Sequence, residues 1–264
     1  SGTVSGISES EGFYMQDDNA AWSGVWVAWS ETEDVEVGQG VHIVGDVAEI
    51  AEVTTIRPTE VNEVPAELTV EPLLVAAPND VEQEMYESVL VKVENVHADE
   101  ADDITGEWRI YTDAGDAYVN DLLYAYEPVA TNKYHVAGIV NGRLDNFTIE
   151  PRMESDILEF IPISEVQGMD DSSPYVGEMK AVSGTVSGIS ESEGFYMQDA
   201  NAEWSGIWVA WTETGDLAVG DGVNVVGDVA EISAVTTINA TELTEVPSVL
   251  TLAPVVLNSP AEVE

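Results

Sequence analysis

Carboxylate and amide side chains gather in four short polar segments whose composition suits a metal ion. The segments are QDDNA at 16–20, DEADD at 99–103, TDAGD at 112–116 and MDDSS at 169–173. Calcium binds six to eight oxygen ligands, which carboxylates and main-chain carbonyls supply. None of the segments has the spacing of an EF-hand loop, and Asp and Asn also favour turns for backbone reasons alone. Calcium is therefore the candidate cofactor and no other is indicated, while solvated turns remain the alternative. The candidate calcium ligands are Asp17, Asp18, Asp99, Asp102, Asp103, Asp113, Asp116, Asp170 and Asp171.

Catalytic chemistry has little support among the residues present. The chain has three histidines and no cysteine, so it has neither a thiol nucleophile nor a disulfide framework. His97 borders an acidic segment and His135 lies in an alternating run, which is typical of surface and packing positions. Because 51 residues are acidic, two neighbouring carboxylates say almost nothing about acid–base catalysis. No nucleophile elbow, phosphate loop or paired-histidine zinc motif occurs. The sequence predicts a protein that is not an enzyme.

The chain contains an internal repeat. Residues 1–82 align without a gap to residues 183–264, an offset of 182, and roughly two thirds of the positions are identical. The second copy is entered through MKAVSGTVSGI at 179–189, which reads as one strand, and Ser1 corresponds to its middle. We therefore expect these residues to be a window from a longer head-to-tail array, in which the missing segment either precedes Ser1 or is donated as a strand by a neighbouring subunit. A single duplicated domain with ragged ends is the alternative.

Charge narrows the range of partners. The formal net charge is −44, which repels nucleic acid phosphates, because their binding depends on Lys and Arg. The same charge destabilises a compact state unless cations screen it. We expect an extracellular or cell-surface protein in a saline, halophilic setting, with the cytoplasm of a salt-accumulating cell as the alternative. No run of eighteen apolar residues occurs, so membrane insertion is not predicted.

Short runs rich in β-branched and aromatic residues predict strands throughout the chain, with no convincing helix. Gly, Asp and Asn separate these runs, and about five of them fall in each segment of about ninety residues. Five short strands suit a small closed barrel, since closure removes exposed sheet edges. The predicted class is all-β, with tandem five-stranded OB-type barrels. The predicted domains are a barrel at 1–66 that lacks its leading segment, a diverged barrel at 67–160, a barrel at 161–250 that repeats the first, and the start of the next repeat linker at 251–264.

Several segments resemble a known group of modules. ISEVQG at 163–168, GFYMQD at 194–199 and VGDGVNVVGDVAEISAVTTI at 219–238 resemble the OB-fold modules beside the catalytic domains of secreted bacterial nucleases. YESVLVKVENV at 86–96 and FTIEPRMESDI at 147–157 resemble the OB-like segment that often follows them. The resemblance covers nearly the whole chain and implies tandem OB barrels in an extracellular protein. It brings no active site, because no segment resembles the nuclease domain itself.

Aromatic residues on the second and third strands are the candidate contact residues. Alternation places Phe195 and Met197 on one face of the second strand and Tyr196 on the other. On the third strand it places Trp208 on the face opposite to its two chain neighbours. OB-folds commonly bind ligands on these two strands by stacking rings on bases. The four aromatic side chains could stack on a base or a sugar, or pack against a neighbouring barrel or subunit. They are Tyr14, Trp26, Tyr196 and Trp208.

The sequence favours a non-catalytic extracellular structural or adhesive repeat protein, forming part of a filament or surface array. Its expected partner is itself, in a linear polymer, with nucleic acid disfavoured by charge. Two alternatives stay open. The chain could be a nucleic-acid-binding accessory module of a secreted nuclease, or a glycan-binding module that uses the Trp and Tyr faces.

Overall fold

Residues of alternating polarity in the first copy form a closed barrel of five strands. The strands are β1 (Gly2–Ser8), β2 (Gly12–Gln16), β3 (Gly24–Val27), β4 (Gly40–Ile50) and β5 (Val53–Val64). They are ordered β1-β2-β3-β5-β4, with β3 and β5 parallel and β1 pairing with β4 to close the ring. Phe13, Val27 and Val41 fill the interior. The computed structural model describes residues 1–9, 11–130, 132–143, 146–248 and 250–254.

The middle of the chain adds a second set of strands. They are β6 (Leu73–Leu74), β7 (Leu90–Ala98), β8 (Trp108–Thr112), β9 (Gly115–Val119), β10 (Lys133–Arg143), β11 (Asn146–Glu150) and β12 (Ile157–Phe160). Pairings from β7 through β8, β9, β11 and β10 run back to β7. Trp108 and Tyr134 are buried inside this ring. Short 3₁₀ turns occupy Thr32–Asp34, Pro78–Glu82, Glu84–Tyr86 and Glu154–Asp156.

The second copy closes in the same way as the first. Its elements are α1 (Ile163–Gln167), β13 (Met179–Ser190), β14 (Gly194–Gln198), β15 (Gly206–Ala210), β16 (Gly222–Ile232) and β17 (Val235–Val246). The one-turn helix α1, which the strand pattern did not reveal, buries Ile163 and Val166 against the core of this barrel. The chain divides into two compact units, Ser1–Leu158 and Glu159–Glu264. The predicted all-β class with five-stranded barrels in tandem is confirmed.

The two copies differ at the start of their first strand. In the second copy, β13 pairs with β16 from Met179 opposite Asp228 to Thr185 opposite Gly222. In the first copy, β1 pairs with β4 only at Gly2 and Thr3. The extra residues of β13 pair with β16, and α1 packs Ile163 and Val166 into the cluster that contains Val229. Val229 is 1% exposed, while its counterpart Val47 is 69% exposed. The run MKAVSGTVSGI is therefore one strand, as the sequence predicts, and its leading half pairs with β16.

Most of the segment that the sequence predicts as the start of a further linker lies outside the residues that the structure describes. The predicted linker at 251–264 is described only as far as residue 254. No helix among the described residues is long and apolar enough to cross a bilayer.

Candidate functional site

The aromatic residues predicted from strand alternation form a cross-strand pair in each copy. Tyr14 on β2 lies opposite Trp26 on β3, with ring centroids 4.6 Å apart and planes at 54°. Tyr196 lies opposite Trp208 in the same way, at 4.6 Å and 62°. Tilted ring pairs at this distance attract each other beyond their area burial. Each pair therefore forms a preorganised aromatic surface on the outside of its barrel.

In the first copy this surface is covered by the following domain. Tyr14 is only 3% exposed, because it packs against Leu90 on β7 and Ile139 on β10. Trp26 and Leu123 are partly buried against the same cluster. We call the outward side of β1 to β3 the Tyr14 face, formed by Gly6, Tyr14, Gln16, Gly24 and Trp26. Its aromatic platform is occupied by protein from within the same chain.

Hydrogen bonds fix the orientation of the two domains of this unit. The amide oxygen of Gln16 accepts a bond of 2.7 Å from the main-chain nitrogen of Leu90. The Gln16 amide nitrogen donates to the carbonyl of Asp18 at 3.1 Å, which holds the side chain in place. The nitrogen of Trp22 donates to the carbonyl of Met85 at 2.7 Å. Buried amide groups are costly when unpaired, so these bonds specify one docking geometry.

An arginine of the middle domain reaches back to the first strand. Arg152 binds Asp156 through two side-chain contacts of 2.8 Å, and both side chains are largely buried. A third nitrogen, Nη1, donates to the carbonyl of Ser5 on β1 at 3.0 Å. Two-pronged contacts to a carboxylate hold a guanidinium in a fixed direction. Asp156 therefore aims Arg152 at the first barrel.

Two glycines allow the domains to approach closely. A Cβ atom added to Gly24 would overlap the main chain of Ser88 and lie 2.6 Å from the nitrogen of Val89. One added to Gly6 would overlap the Ile139 side chain. A cavity of about 210 Å³ remains beside the ring pair, with Ile50, Leu122 and Asn141 in its wall. This volume is below the roughly 300–1,000 Å³ of typical small-molecule sites.

The corresponding surface of the second copy is open. Tyr196 is 52% exposed and Trp208 is partly exposed. The aromatic residues therefore adopt the same pairing with different surroundings. Their predicted role as ligand or subunit contacts stays a prediction.

The predicted calcium ligands do not gather into one cluster. Asp99 and Asp116 both bind Arg109, at 3.2 and 3.0 Å. The Asp102 carboxylate caps a turn by accepting bonds from the nitrogens of Thr105 and Ile104, and these bonds lower its pKa. Within the described ranges, no group of three or more acidic or histidine side chains has the geometry to hold a metal ion. The other candidate positions are exposed and lie in turns or loops: Asp17, Asp18, Asp103, Asp113, Asp170 and Asp171. A calcium site stays a prediction.

Several buried titratable groups were not found from the sequence. Burial raises the pKa of Glu87, whose Oε1 accepts a bond of 2.9 Å from the nitrogen of Thr54. Burial also raises the pKa of Glu150, which accepts a bond of 2.6 Å from the hydroxyl of Thr148. Burial lowers the pKa of His135 to about 4. Glu87 and Glu150 accept hydrogen bonds from neighbouring groups and so hold loops and strands in place.

Gln16 and Arg152 were also missed, although signals for both exist. Gln16 shares the outward side of β2 with Tyr14, so alternation alone places it on the same surface. Arg152 is one of only seven basic residues in the chain, which makes each of them a candidate for a specific pairing.

Comparisons with known proteins assign no family to this chain. No family model and no curated protein matches the chain. A solved structure described as the hypothetical protein ygiW from E. coli is similar at 16% identity and a TM-score of 0.23. The similarity covers 27% of this chain and 77% of that one. A likeness at this level carries no argument about function. The two closed barrels fit OB-like modules in tandem.

Proposed function

We propose that this protein is a non-catalytic extracellular structural or adhesive repeat protein, a building block of a filament or surface array made of OB-type domains. The observation that carries the proposal is the use of the Tyr14 face. OB-folds commonly bind ligands on strands 2 and 3. Here this surface packs against the next domain, with Tyr14 only 3% exposed. The surface on which OB-folds commonly bind ligands here joins two domains of one unit.

Charge favours this function over nucleic acid binding. Single-strand binders combine stacking platforms with a positively charged groove. The aromatic pairs here belong to a chain with seven basic and 51 acidic residues. Arg152, the basic side chain that reaches the Tyr14 face, is already bound to Asp156 and to the Ser5 carbonyl. Self-assembly needs no basic groove, and salt or divalent ions would offset the repulsion between acidic subunits.

A glycan-binding function is the second candidate. The open Tyr196 and Trp208 pair supports it, since stacking on a sugar requires aromatic surface and no basic charge. The resemblance to modules of secreted nucleases supports the third alternative, an accessory domain that binds nucleic acid.

The test combines an assembly assay with two binding assays. Sedimentation and electron microscopy of the purified chain should be performed in low salt, in molar NaCl and in millimolar CaCl₂. We expect linear polymers in salt or calcium, and no retention on single-stranded DNA or on polysaccharide columns. A stable monomer at high concentration under all three conditions would overturn the structural role. Retention of that monomer on DNA or on polysaccharide would support the corresponding alternative.

A further inference from the structure

The second copy retains every side chain that forms the Tyr14 face. Gly188, Tyr196, Gln198, Gly206 and Trp208 occupy the positions of Gly6, Tyr14, Gln16, Gly24 and Trp26, and all five pairs are identical in type. We call this second set the Tyr196 face. Only about two thirds of all aligned positions are identical, so the match is better here than along the copies as a whole.

Groups that have partners on the Tyr14 face are open on the Tyr196 face. Tyr14 is 3% exposed, whereas Tyr196 is 52% exposed. The Gln198 amide nitrogen keeps its turn bond to the carbonyl of Ala200 at 2.9 Å. Among the described residues, however, no hydrogen-bond donor contacts the amide oxygen of Gln198. The amide oxygen of Gln16, in contrast, accepts a bond from the nitrogen of Leu90. The second copy thus holds the amide in the same local way while its acceptor faces outward.

Packing within its own barrel does not require a glycine at position 206. Gly206 lies in β15, and a Cβ atom added there would meet only the carbonyl oxygen of Met197 at 3.9 Å. Glycine inside a strand lowers stability unless close packing requires it. Gly24 has such a reason, since the main chain of Ser88 and Val89 lies against it. The same close approach would account for Gly206.

The chain leaves both copies along the same path. The side-chain nitrogen of Asn19 donates to the carbonyl of Thr69 at 3.0 Å, and its side-chain oxygen accepts from the nitrogen of Glu71 at 3.0 Å. Asn201 makes the corresponding bonds to Thr251 and Ala253, both at 2.9 Å. In the first copy this path leads to β6 and then to the domain that covers the Tyr14 face. Residues 250–254 therefore begin the same approach.

We propose that the Tyr196 face is a docking surface for one kind of partner, a domain of the type formed by residues 67–158, entered through the linker at 250–254. Such a domain offers a main-chain donor at the position of Leu90, an arginine aimed as Arg152 is, and apolar side chains like that of Ile139. The inference deepens the proposed structural function and rests on it, since it names the contact by which successive repeats join.

The test extends the chain by one domain. Residues 83–158 are added after Glu264, because PAEVE at 260–264 aligns with PNDVE at 78–82. Reaction of Tyr196 with a tyrosine-nitrating reagent and hydrogen exchange in 194–198 and 206–210 are measured in the original and extended chains. Tyr175, which is partly buried and lies outside the duplicated residues 83–158, serves as the internal reference. We expect at least a tenfold loss of Tyr196 reactivity on extension, towards the low reactivity of Tyr14.

Gly206→Ala supplies the matched control. The added methyl group has room in the original chain, so its barrel should keep its stability and its Tyr196 reactivity. In the extended chain the same substitution should restore Tyr196 reactivity. Unchanged reactivity of Tyr196 on extension would overturn the proposal, as would an added domain that stays unfolded, because the same sequence folds against the Tyr14 face.

Three further outcomes separate this inference from the proposed function. Concentration-dependent protection of Tyr196 in the original chain would assign the face to another molecule of this protein and overturn the proposal. Protection in the extended chain together with a failure to polymerise would support the docking contact while removing the filament. Polymers that form while Tyr196 stays reactive on extension would retain the filament and overturn the docking contact.

Discussion

The side-chain oxygen of Gln16 accepts a 2.7 Å hydrogen bond from the main-chain nitrogen of Leu90, 74 residues further along the chain. Gln16 is 1% exposed and Leu90 is fully buried. The bond joins the outward side of one barrel to the first residue of β7 in the next domain. The Gln16 side chain thus lies on the outside of its barrel but in the interior of the unit, and its removal should destabilise both domains.

Gln16→Leu should destabilise the unit 1–158. The Leu90 nitrogen would stay buried without an acceptor, which costs about 1–3 kcal/mol. The change is measured by hydrogen exchange in β2 and β7 and by denaturant unfolding. Gln198→Leu is the control, because the Gln198 oxygen has no donor among the described residues, and its effect should be below about 1 kcal/mol. Equal losses from the two substitutions would contradict the role assigned to the bond.

Gly24→Ala and Gly206→Ala should have opposite effects on their own barrels. An added methyl group at Gly24 meets the main chain of Ser88 and Val89, which cannot move without shifting β7. Overpacking of this kind costs about 1–3 kcal/mol. At Gly206 there is room, and alanine should leave stability unchanged or raise it by about 0.5–1 kcal/mol, as expected for glycine replacement inside a strand. Unfolding of each unit, followed by hydrogen exchange, distinguishes these results. A Gly24→Ala protein as stable as the parent would show that the close approach is unimportant.

The sequence predicts the barrels better than it predicts what covers them. Alternation correctly separates Phe195 and Met197, which are buried in the core, from Tyr196 on the outside. GFYMQ is identical in the two copies, yet its tyrosine is 3% exposed in one and 52% exposed in the other. Local pattern fixes the side of a strand on which a residue lies. Whether that side is buried depends on whether a segment distant in sequence, such as residues 88–90, packs against it. Local sequence pattern does not determine this packing.

Glu87→Gln should stabilise the protein at neutral pH. Glu87 is 7% exposed, its Oε2 has no hydrogen-bond partner among the described residues, and burial raises its pKa. Its folded-state pKa lies above the unfolded value, so its contribution to stability is full below about pH 4.3 and is lost as the pH rises through the folded value. Glutamine keeps an acceptor for Thr54 without a buried charge. We expect the free energy of unfolding to rise at pH 7 and this gain to disappear towards pH 4.

Denaturant unfolding of the parent and the variant at several pH values tests this expectation. Glu82→Gln, at an exposed position nearby, removes one negative charge without relieving any burial. If Glu82→Gln stabilised the protein as much as Glu87→Gln, general repulsion rather than burial would be the cause.

His135 should make the protein acid-sensitive between about pH 6.5 and 4. Its Nδ1 accepts a bond of 3.0 Å from the nitrogen of Asn95, and burial lowers its pKa to about 4. Protonation of Nδ1 would replace that bond with two opposed donors. Because the folded-state pKa is depressed, this stabilising contribution is present above the unfolded value near 6.5 and is lost as the pH falls through the folded one. A depression of this size corresponds to a loss on the order of 3 kcal/mol.

His135→Asn keeps an acceptor near the position of Nδ1 and should remove this pH dependence. His42→Asn is the control, since His42 is exposed and the second copy already has Asn224 at that position. NMR titration of the imidazole measures the pKa directly. An His135 that titrates near pH 6.5 in the folded protein would contradict the assignment.

Cations should stabilise both units. The net charge is −44, and the described ion pairs involve only four of the seven basic side chains, Lys92, Arg109, Arg152 and Lys180. Most carboxylates are therefore left to repel one another, and at 1 M salt the Debye length falls to about 3 Å. Thermal unfolding in low salt, in molar NaCl and in millimolar CaCl₂ should give a melting temperature that rises with either salt.

If NaCl at equal ionic strength reproduces the effect of CaCl₂, screening of the carboxylate charges is sufficient to explain it. If calcium acts alone, the Asp-rich segments are the first place to look, and Asp170→Asn with Asp171→Asn should then reduce the response more than Glu82→Gln does. A melting temperature that is the same in all three solutions would contradict the prediction that repulsion between carboxylates lowers the stability of the two units.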